Sequence, residues 1–378
     1  MSDILLHPCK LHGSMDFLRI APSKSCLHRE MICSYLSHSP VPYGTSDDTI
    51  LTYRALSDMP CPDRIIDAGE SASTLRFLIP LAIYMGGRTF RMGDRLKKRP
   101  LTEYSCINTA DIRLVGENML YAGGSISSGE FVMHGNISSQ FATGLMFVLP
   151  LLHGDSRISF SQGLQSQGYA DLTADILGRY GITVLKQNGS YIISGDQSFV
   201  PCDSHVTEGD WSYAAYFVTA NALSADISLT GLNEASLQPD RCIEELLSCR
   251  KTDISPCPDL FPTLCVYACG QEHDTLIYNA ARLRMKECDR LHAMAEELSR
   301  LGASIEEHDD SLLIHGKGHL HGGEVYSHND HRIAMALTIA ALCICEGDVY
   351  LHGCECVSKS APDFFRHIDY LKRGVDII

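Results

Sequence analysis

Two stretches of this chain repeat one another without a gap, and that repeat constrains the fold more than any other feature. Residues 176–195 read ILGRYGITVLKQNGSYIISG, and residues 297–316 read ELSRLGASIEEHDDSLLIHG. Each is read as the end of an amphipathic helix, a Gly stop (Gly181, Gly302), a strand, a polar turn (Asn188-Gly189, Asp309-Asp310) and a second strand. Gly favours the position just past a helix, and Asn-Gly favours a tight hairpin. Self-similarity at such a distance predicts an α/β fold built from copies of one supersecondary unit.

The rest of the chain carries weaker traces of that unit. Helices are expected near 25–37, 73–85, 138–152, 171–180, 211–223, 289–301 and 330–345. Short strands are expected between them, as at 182–185, 191–194, 226–230, 303–306, 312–315 and 348–351. No Pro-, Gly- or Ser-rich linker divides the 378 residues. The length favours two domains, and the missing linker means that they are tightly joined.

Composition excludes several functions. The formal net charge is −15, which argues against a general nucleic-acid binder with its basic surface. The N-terminal run MSDILLHPCKLHGSMDFL has no basic n-region and no long apolar stretch, so no secretion signal is read there. The longest apolar candidate, FATGLMFVLPLL, is too short to span a membrane and is read as a buried helix. The 16 cysteines form no paired C-x-x-C motifs, and no H-E-x-x-H occurs. They are read as core thiols and not as a disulfide or zinc framework.

Against that acidic background, cations recur at element boundaries. SKSCLHR opens a helix with Lys24 and Arg29, where the exposed N–H groups of a helix start already favour an anion. GESASTLRF places Ser71, Ser73, Thr74 and Arg76 at another helix start. GDRLKKRPL holds Arg95, Lys97, Lys98 and Arg99 in a loop. NISSQF offers Ser138, Ser139 and Gln140; RMKECDR holds Arg284, Lys286 and Arg290; HNDHR ends in Arg332; VSKSAP carries Lys359. Helix N-termini, short hydroxyl and amide donors, and Arg forks together describe a site for small molecules with several negative charges. Asp259, Glu287 and Asp330 lie beside these cations as candidate acids and bases, Asp330 also being a candidate helix cap.

The ordered set SKSCLHR, GESASTLR, RLKKRP, NISSQF, SQGYADLT, EGDWSYAAYF, PDLFPTL, RMKECDRL, NDHRIAMAL and VSKSAPDFF resembles the 5-enolpyruvylshikimate-3-phosphate synthase family over nearly the whole chain. The resemblance implies the enolpyruvyl transferase fold, an inside-out α/β barrel of two similar domains, each of three βαβαββ units. It implies one domain at 21–207 on the shikimate 3-phosphate side. The other, 1–20 with 208–378, completes the phosphoenolpyruvate site, and the domains close around the substrates. The implied reaction is part of the shikimate route to chorismate and the aromatic amino acids. It moves the enolpyruvyl group of phosphoenolpyruvate to the 5-hydroxyl of shikimate 3-phosphate, releasing phosphate through a tetrahedral intermediate. No cofactor or metal is implied. The implied setting is a cytoplasmic monomer acting on small molecules, without nucleic acid or membrane.

By motif, the resemblance gives Lys24 contact with both substrates, and Ser25 and Arg29 contact with shikimate 3-phosphate. Ser138, Ser139 and Ser166 hold its phosphate, and Gln140 and Tyr169 lie against its ring. Arg99 and Lys359 take the phosphate of phosphoenolpyruvate, and Arg290 and Arg332 its carboxylate. Asp259 takes the hydroxyl proton, Glu287 supplies one to C3, and Lys286 contacts shikimate 3-phosphate or the reacting oxygen. Lys24, Asp259 and Glu287 are thus the implied proton-transfer groups. The chain departs from the family pattern at Cys288, at Glu70-Ser71, and in a shortened segment after Arg99 that implies a trimmed repeat. It departs again at Ala72, which stands where herbicide-sensitive members have Gly and implies reduced glyphosate sensitivity. The sister family acting on UDP-N-acetylglucosamine has Lys-Asn in place of Lys24-Ser25 and a reactive loop cysteine, for which Cys106 in EYSCINT has the wrong context. A non-catalytic anion-binding relative is the other alternative; the presence of both Asp259 and Glu287 argues against it.

Overall fold

The computed structural model describes residues 3–14, 19–202 and 207–373. The chain divides into two compact units: an inserted unit, Lys24–Thr207, and a discontinuous unit of Met1–Ser23 with Glu208–Ile378.

The repeat seen in the sequence is a structural repeat. Gly181 and Gly302 have φ of +80° and +91°. In both, the next residue's N–H donates back five residues, Ile182 to Leu177 and Ala303 to Leu298, each at 3.0 Å. That bond closes the helix end in the same way twice. Asn188 and Gly189 both have positive φ, so they form the two-residue turn that matches strand twist. Val184–Gln187 then pairs antiparallel with Ser190–Ile193, as Ser304–His308 does with Ser311–His315.

Each hairpin completes a four-stranded sheet. In the inserted unit Glu130–Met133 runs parallel to Ser156–Phe160, which pairs antiparallel with Ser190–Ile193. In the discontinuous unit Lys251–Asp253, Asp274–Tyr278 and Ser311–His315 repeat that order. Helices Gln140–Val148 and Gln167–Arg179 fill the first βαβαββ repeat, and Phe261–Cys269 and Arg290–Arg300 the second. A third sheet, Ile65–Gly69, Arg88–Met92, Met119–Gly124 and Ala110–Gly116, has the same topology. After helix Ala72–Tyr84 it has only the 3₁₀ turns Leu96–Lys98 and Thr102–Cys106 where the second helix would run, which is the shortening expected after Arg99. The discontinuous unit also holds a three-stranded sheet, Ile4–Leu6, Val349–His352 and Gly323–Tyr326, and the pair His12–Ser14 with Asp226–Ser228.

Each unit has its own apolar core. The stretch FATGLMFVLPLL is a buried helix, Gln140–Val148, passing into a 3₁₀ turn at Pro150. Its Gly144 permits close packing, since an added methyl group would lie 2.5 Å from the Arg76 carbonyl. Among the described residues no helix is long and apolar enough to cross a membrane, and all 16 cysteines are free thiols. The one His/Asp/Glu/Cys group with ligand-like spacing among them is Glu296, Glu297 and His328, which contains no cysteine.

Candidate active site

In the inserted unit, Lys24 begins the helix Lys24–Leu36, which has no acid in its first turn. Its charge is met from a different element: Lys24 Nζ donates to Asp48 Oδ2 at 3.0 Å, and Asp48 belongs to the first turn of helix Asp47–Asp58. Asp48 escaped the sequence reading, although Ser46-Asp47-Asp48 is a plain helix-start signal. Arg29, one turn on, is buried. It donates to Thr173 Oγ1 at 2.8 Å, the Ser25 carbonyl at 2.6 Å and the Tyr169 carbonyl at 2.9 Å, and its guanidinium lies 5.2 Å from the Phe77 ring centre. Burial lowers its pKa to about 10, so it stays charged at neutral pH. These bonds gather Ser25, Arg29 and Tyr169 beside Ser166, which takes φ +52° at the start of the helix Gln167–Arg179. A left-handed non-Gly residue there is a local strain of about 1–2 kcal/mol.

A second group in this unit surrounds Gln140. Gln140 Nε2 donates to Ser73 Oγ at 2.9 Å, and Arg76 Nη1 donates to Gln140 Oε1 at 3.0 Å. Arg76 also donates to the Pro100 carbonyl at 3.3 Å and lies 4.6 Å from the Phe141 ring centre. Arg76, one of the cations singled out in the sequence, therefore ties two helices and a loop together. Ser138 Oγ accepts the Gln140 N–H at 3.3 Å, and Ser139 is buried beside it. Ala72 is the first residue of the helix Ala72–Tyr84, which Ser71 caps by accepting the Thr74 N–H at 3.3 Å. Arg99 follows the 3₁₀ turn Leu96–Lys98. Cys106 is half-buried, and burial, reinforced by Glu103, raises its thiol to about 12. It lacks the thiolate character of a reactive cysteine.

In the discontinuous unit, three helix starts deliver one charge cluster. Asp259 lies in the 3₁₀ turn before Phe261–Cys269, Arg290 begins Arg290–Arg300, and Asp330 caps His331–Cys343. Arg290, 1% exposed, donates to Asp330 Oδ2 at 2.7 Å, Asp259 Oδ1 at 2.9 Å and Glu287 Oε2 at 2.7 Å. Arg332 Nη2 donates to Asp259 Oδ2 at 2.9 Å, and Lys286 Nζ lies 3.6 Å from Asp259 Oδ1. Asp330 thus does both things open to it, capping through the Arg332 N–H at 2.9 Å and pairing with Arg290. Cys288 donates to Asp330 Oδ2 at 3.7 Å. Lys359 ends a 3₁₀ turn, Cys354–Lys359. Arg284 does not join the cluster; it pairs with Asp289 at 2.8 Å and Glu307 at 2.9 Å.

The cluster opposes three cations to three carboxylates. Burial pushes the Asp259 carboxyl up, but Arg332, Lys286 and Arg290 outweigh it and hold it well below the usual range. For Asp330 burial again pushes up and Arg290 pulls below the usual value. Burial lowers the Lys286 ammonium to about 8, against the pull of Asp259. A site of this kind can exchange an internal carboxylate for one on a ligand, and the released group becomes a base.

Comparison with known proteins identifies the family. A family model described as EPSP synthase (3-phosphoshikimate 1-carboxyvinyltransferase) matches residues 22–249 and 240–368. The chain is 39% identical to the 3-phosphoshikimate 1-carboxyvinyltransferase of Clostridioides difficile (strain 630) over 436 positions, covering 100% of this chain and 99% of that one. It is 39% identical to the protein of that name from Clostridium perfringens (strain 13 / Type A), covering 97% of each. An alignment of 436 positions on 378 residues requires gaps. A solved EPSP synthase from Acinetobacter baumannii has the same fold, with a TM-score of 0.79 over 98% of each chain at 21% identity.

Proposed function

This chain belongs to the EPSP synthase family, and from that premise we propose that it transfers the enolpyruvyl group of phosphoenolpyruvate to the 5-hydroxyl of shikimate 3-phosphate. The observation that carries the proposal beyond family membership is the Arg290–Arg332–Lys286 cluster holding Asp259 and Glu287. It combines a carboxylate fork with two groups able to move protons.

The substrate carboxylate enters at Arg290 and Arg332 and takes cationic partners from Asp259 and Glu287. A carboxylate that loses a neighbouring cation gains proton affinity. Glu287, having taken a proton from solvent once Arg290 turns to the substrate, supplies it to C3, and Asp259 accepts the proton of the 5-hydroxyl as that oxygen bonds to C2 of phosphoenolpyruvate. The tetrahedral intermediate collapses as C3 returns a proton to Glu287 and the bond from C2 to the phosphate oxygen breaks, and the proton held by Asp259 leaves with the phosphate. Phosphate and the enol ether product leave. Lys24 and Lys286 compensate charge on the reacting oxygens. Arg99 and Lys359 hold the leaving phosphate. Ser25, Arg29, Ser138, Ser139, Gln140, Ser166 and Tyr169 hold shikimate 3-phosphate, and Ala72 forms part of the phosphoenolpyruvate wall. The inserted unit serves the shikimate side, and the discontinuous unit supplies the carboxylate fork and the proton groups. The same proposal makes the protein a cytoplasmic monomer acting on small molecules alone.

Phosphate release measured with both substrates, with each omitted, and with UDP-N-acetylglucosamine in place of shikimate 3-phosphate tests the assignment. Release that requires shikimate 3-phosphate and phosphoenolpyruvate together is expected. Release with the UDP-sugar alone as acceptor would move the chain to the sister activity.

A further inference from the structure

Glu70 stands between Gly69, whose φ of +48° ends a strand, and the cap residue Ser71. Its side chain reaches the basic loop at 93–99. The Arg95 N–H donates to Oε1 at 3.2 Å, and the Leu96 N–H donates to Oε2 at 2.8 Å. Arg95 Nε lies 4.0 Å from Oε1. The loop is fixed at two further points. The Gly93 N–H donates to the Gly69 carbonyl at 2.7 Å, and the Leu96 side chain is buried. Gly93 packs so closely that an added methyl group would lie 2.2 Å from Glu70 Oε1. From Leu96 the 3₁₀ turn runs directly to Arg99, whose N–H donates to the Leu96 carbonyl at 3.0 Å.

A carboxylate here is a puzzle if charge alone matters. The loop carries Arg95, Lys97, Lys98 and Arg99, and an acid among them weakens its field for a phosphate. The geometry resolves the puzzle: each carboxylate oxygen accepts one of two successive backbone N–H groups, and an amide in the same place would turn its NH₂ against one of them. We propose that Glu70 is a positioning residue for phosphate recognition, acting through Arg99 by holding the turn that presents it. The proposal rests on the functional reading above, in which Arg99 takes the phosphate of phosphoenolpyruvate. Charge and position make opposite forecasts for Glu70→Gln. Loss of the negative charge alone would tighten phosphate binding. Loss of one acceptor, with an amide turned against a backbone N–H, would loosen it.

The test uses the full chain with Glu70→Gln, Glu70→Asp and Glu70→Ala. The readouts are KM for each substrate, kcat, inhibition by inorganic phosphate, and calorimetric binding of inorganic phosphate without substrates. For Glu70→Gln, a rise of about tenfold in the phosphoenolpyruvate KM is expected, the scale of one hydrogen bond to a charged group. Phosphate inhibition should weaken in parallel, while kcat and the shikimate 3-phosphate KM change less than about twofold to threefold on the same scale. Glu70→Asp, which keeps both acceptors on a shorter arm, should fall between Glu70→Ala and wild type. Unchanged or tighter phosphate binding in a Glu70→Gln protein that melts as wild type does would overturn the proposal. So would equal losses for both substrates, or failure of all three variants to fold. If wild type releases no phosphate from the substrate pair, the functional reading fails by itself. Phosphate binding then decides the proposal: weaker binding to Glu70→Gln than to wild type supports it, and no binding to wild type overturns it.

Discussion

Asp330→Asn isolates the bond that organises the charge cluster. Asp330 is fully buried and accepts from Arg290 Nε at 2.7 Å and from the Arg332 N–H at 2.9 Å. Asn has the same shape and caps helices equally well, so the capping bond survives. The amide that replaces Oδ2 faces the Arg290 N–H, donor against donor. Breaking a buried ion pair from one side costs about 3–5 kcal/mol. Arg290 keeps Asp259 and Glu287, which sets the expectation at the lower end, about 3 kcal/mol. At about 2–4 °C per kcal/mol for units of this size, the melting temperature at pH 7 should fall by roughly 6–12 °C. The pH dependence follows from the sign of the shift. The Asp330 pKa lies below its ordinary 3.8, so its stabilisation is complete above that value and is lost as pH falls through the folded value. The gap between wild type and variant should therefore be full at pH 7 and shrink below about pH 4. Circular dichroism melts of both proteins from pH 3 to pH 8 measure it. A variant melting within about 2 °C of wild type at pH 7, less than 1 kcal/mol, would refute the view that this pair holds the cluster together.

Glu287→Gln keeps a partner for Arg290 but cannot supply a proton. Its kcat should fall by about 10²–10⁴, the usual worth of an acid or base, and activity within tenfold of wild type would remove Glu287 from the proton path. Lys286, lowered to about 8 by burial, loses its charge as pH rises through that value. A pH profile of kcat/KM for phosphoenolpyruvate should therefore decline above about pH 8 with the slope of one proton, and Lys286→Met should abolish that limb. Ala72, at the first turn of its helix and 8% exposed, should crowd glyphosate. In Ala72→Gly the inhibitor concentration for half activity should drop by about tenfold or more, the scale of one relieved clash; equal inhibition of the two proteins would contradict this.

The sequence was most legible where a residue type has one conformational use. Gly181, Gly302 and Asn188-Gly189 announced the repeat because helix stops and tight hairpins need positive φ or its equivalent. Boundaries failed where such signals were missing. The helix expected from 171 begins at Gln167, because Ser166 enters it in a left-handed conformation without a side-chain capping bond. The helix Asp47–Asp58, which is not among the expected helices, is a different case, since its Ser46-Asp47-Asp48 start signal is present in the sequence. The residue types of the candidate site were visible as cations at helix starts, but their partners were not. Lys24 meets Asp48 and Arg332 meets Asp259, and no local pattern links positions so far apart. The expectation that cations at helix starts await a substrate thus needs an addition: in the free protein the chain's own carboxylates already meet Lys24, Lys286, Arg290 and Arg332.

In the proposed reaction, phosphate leaves by cleavage of the carbon–oxygen bond of phosphoenolpyruvate. Phosphoenolpyruvate labelled with ¹⁸O at the oxygen joining C2 to phosphorus tests it directly in a reaction with shikimate 3-phosphate. The released phosphate is expected to carry the label. Unlabelled phosphate, with the heavy oxygen retained in pyruvate or in the organic product, would mean cleavage at phosphorus and would contradict it.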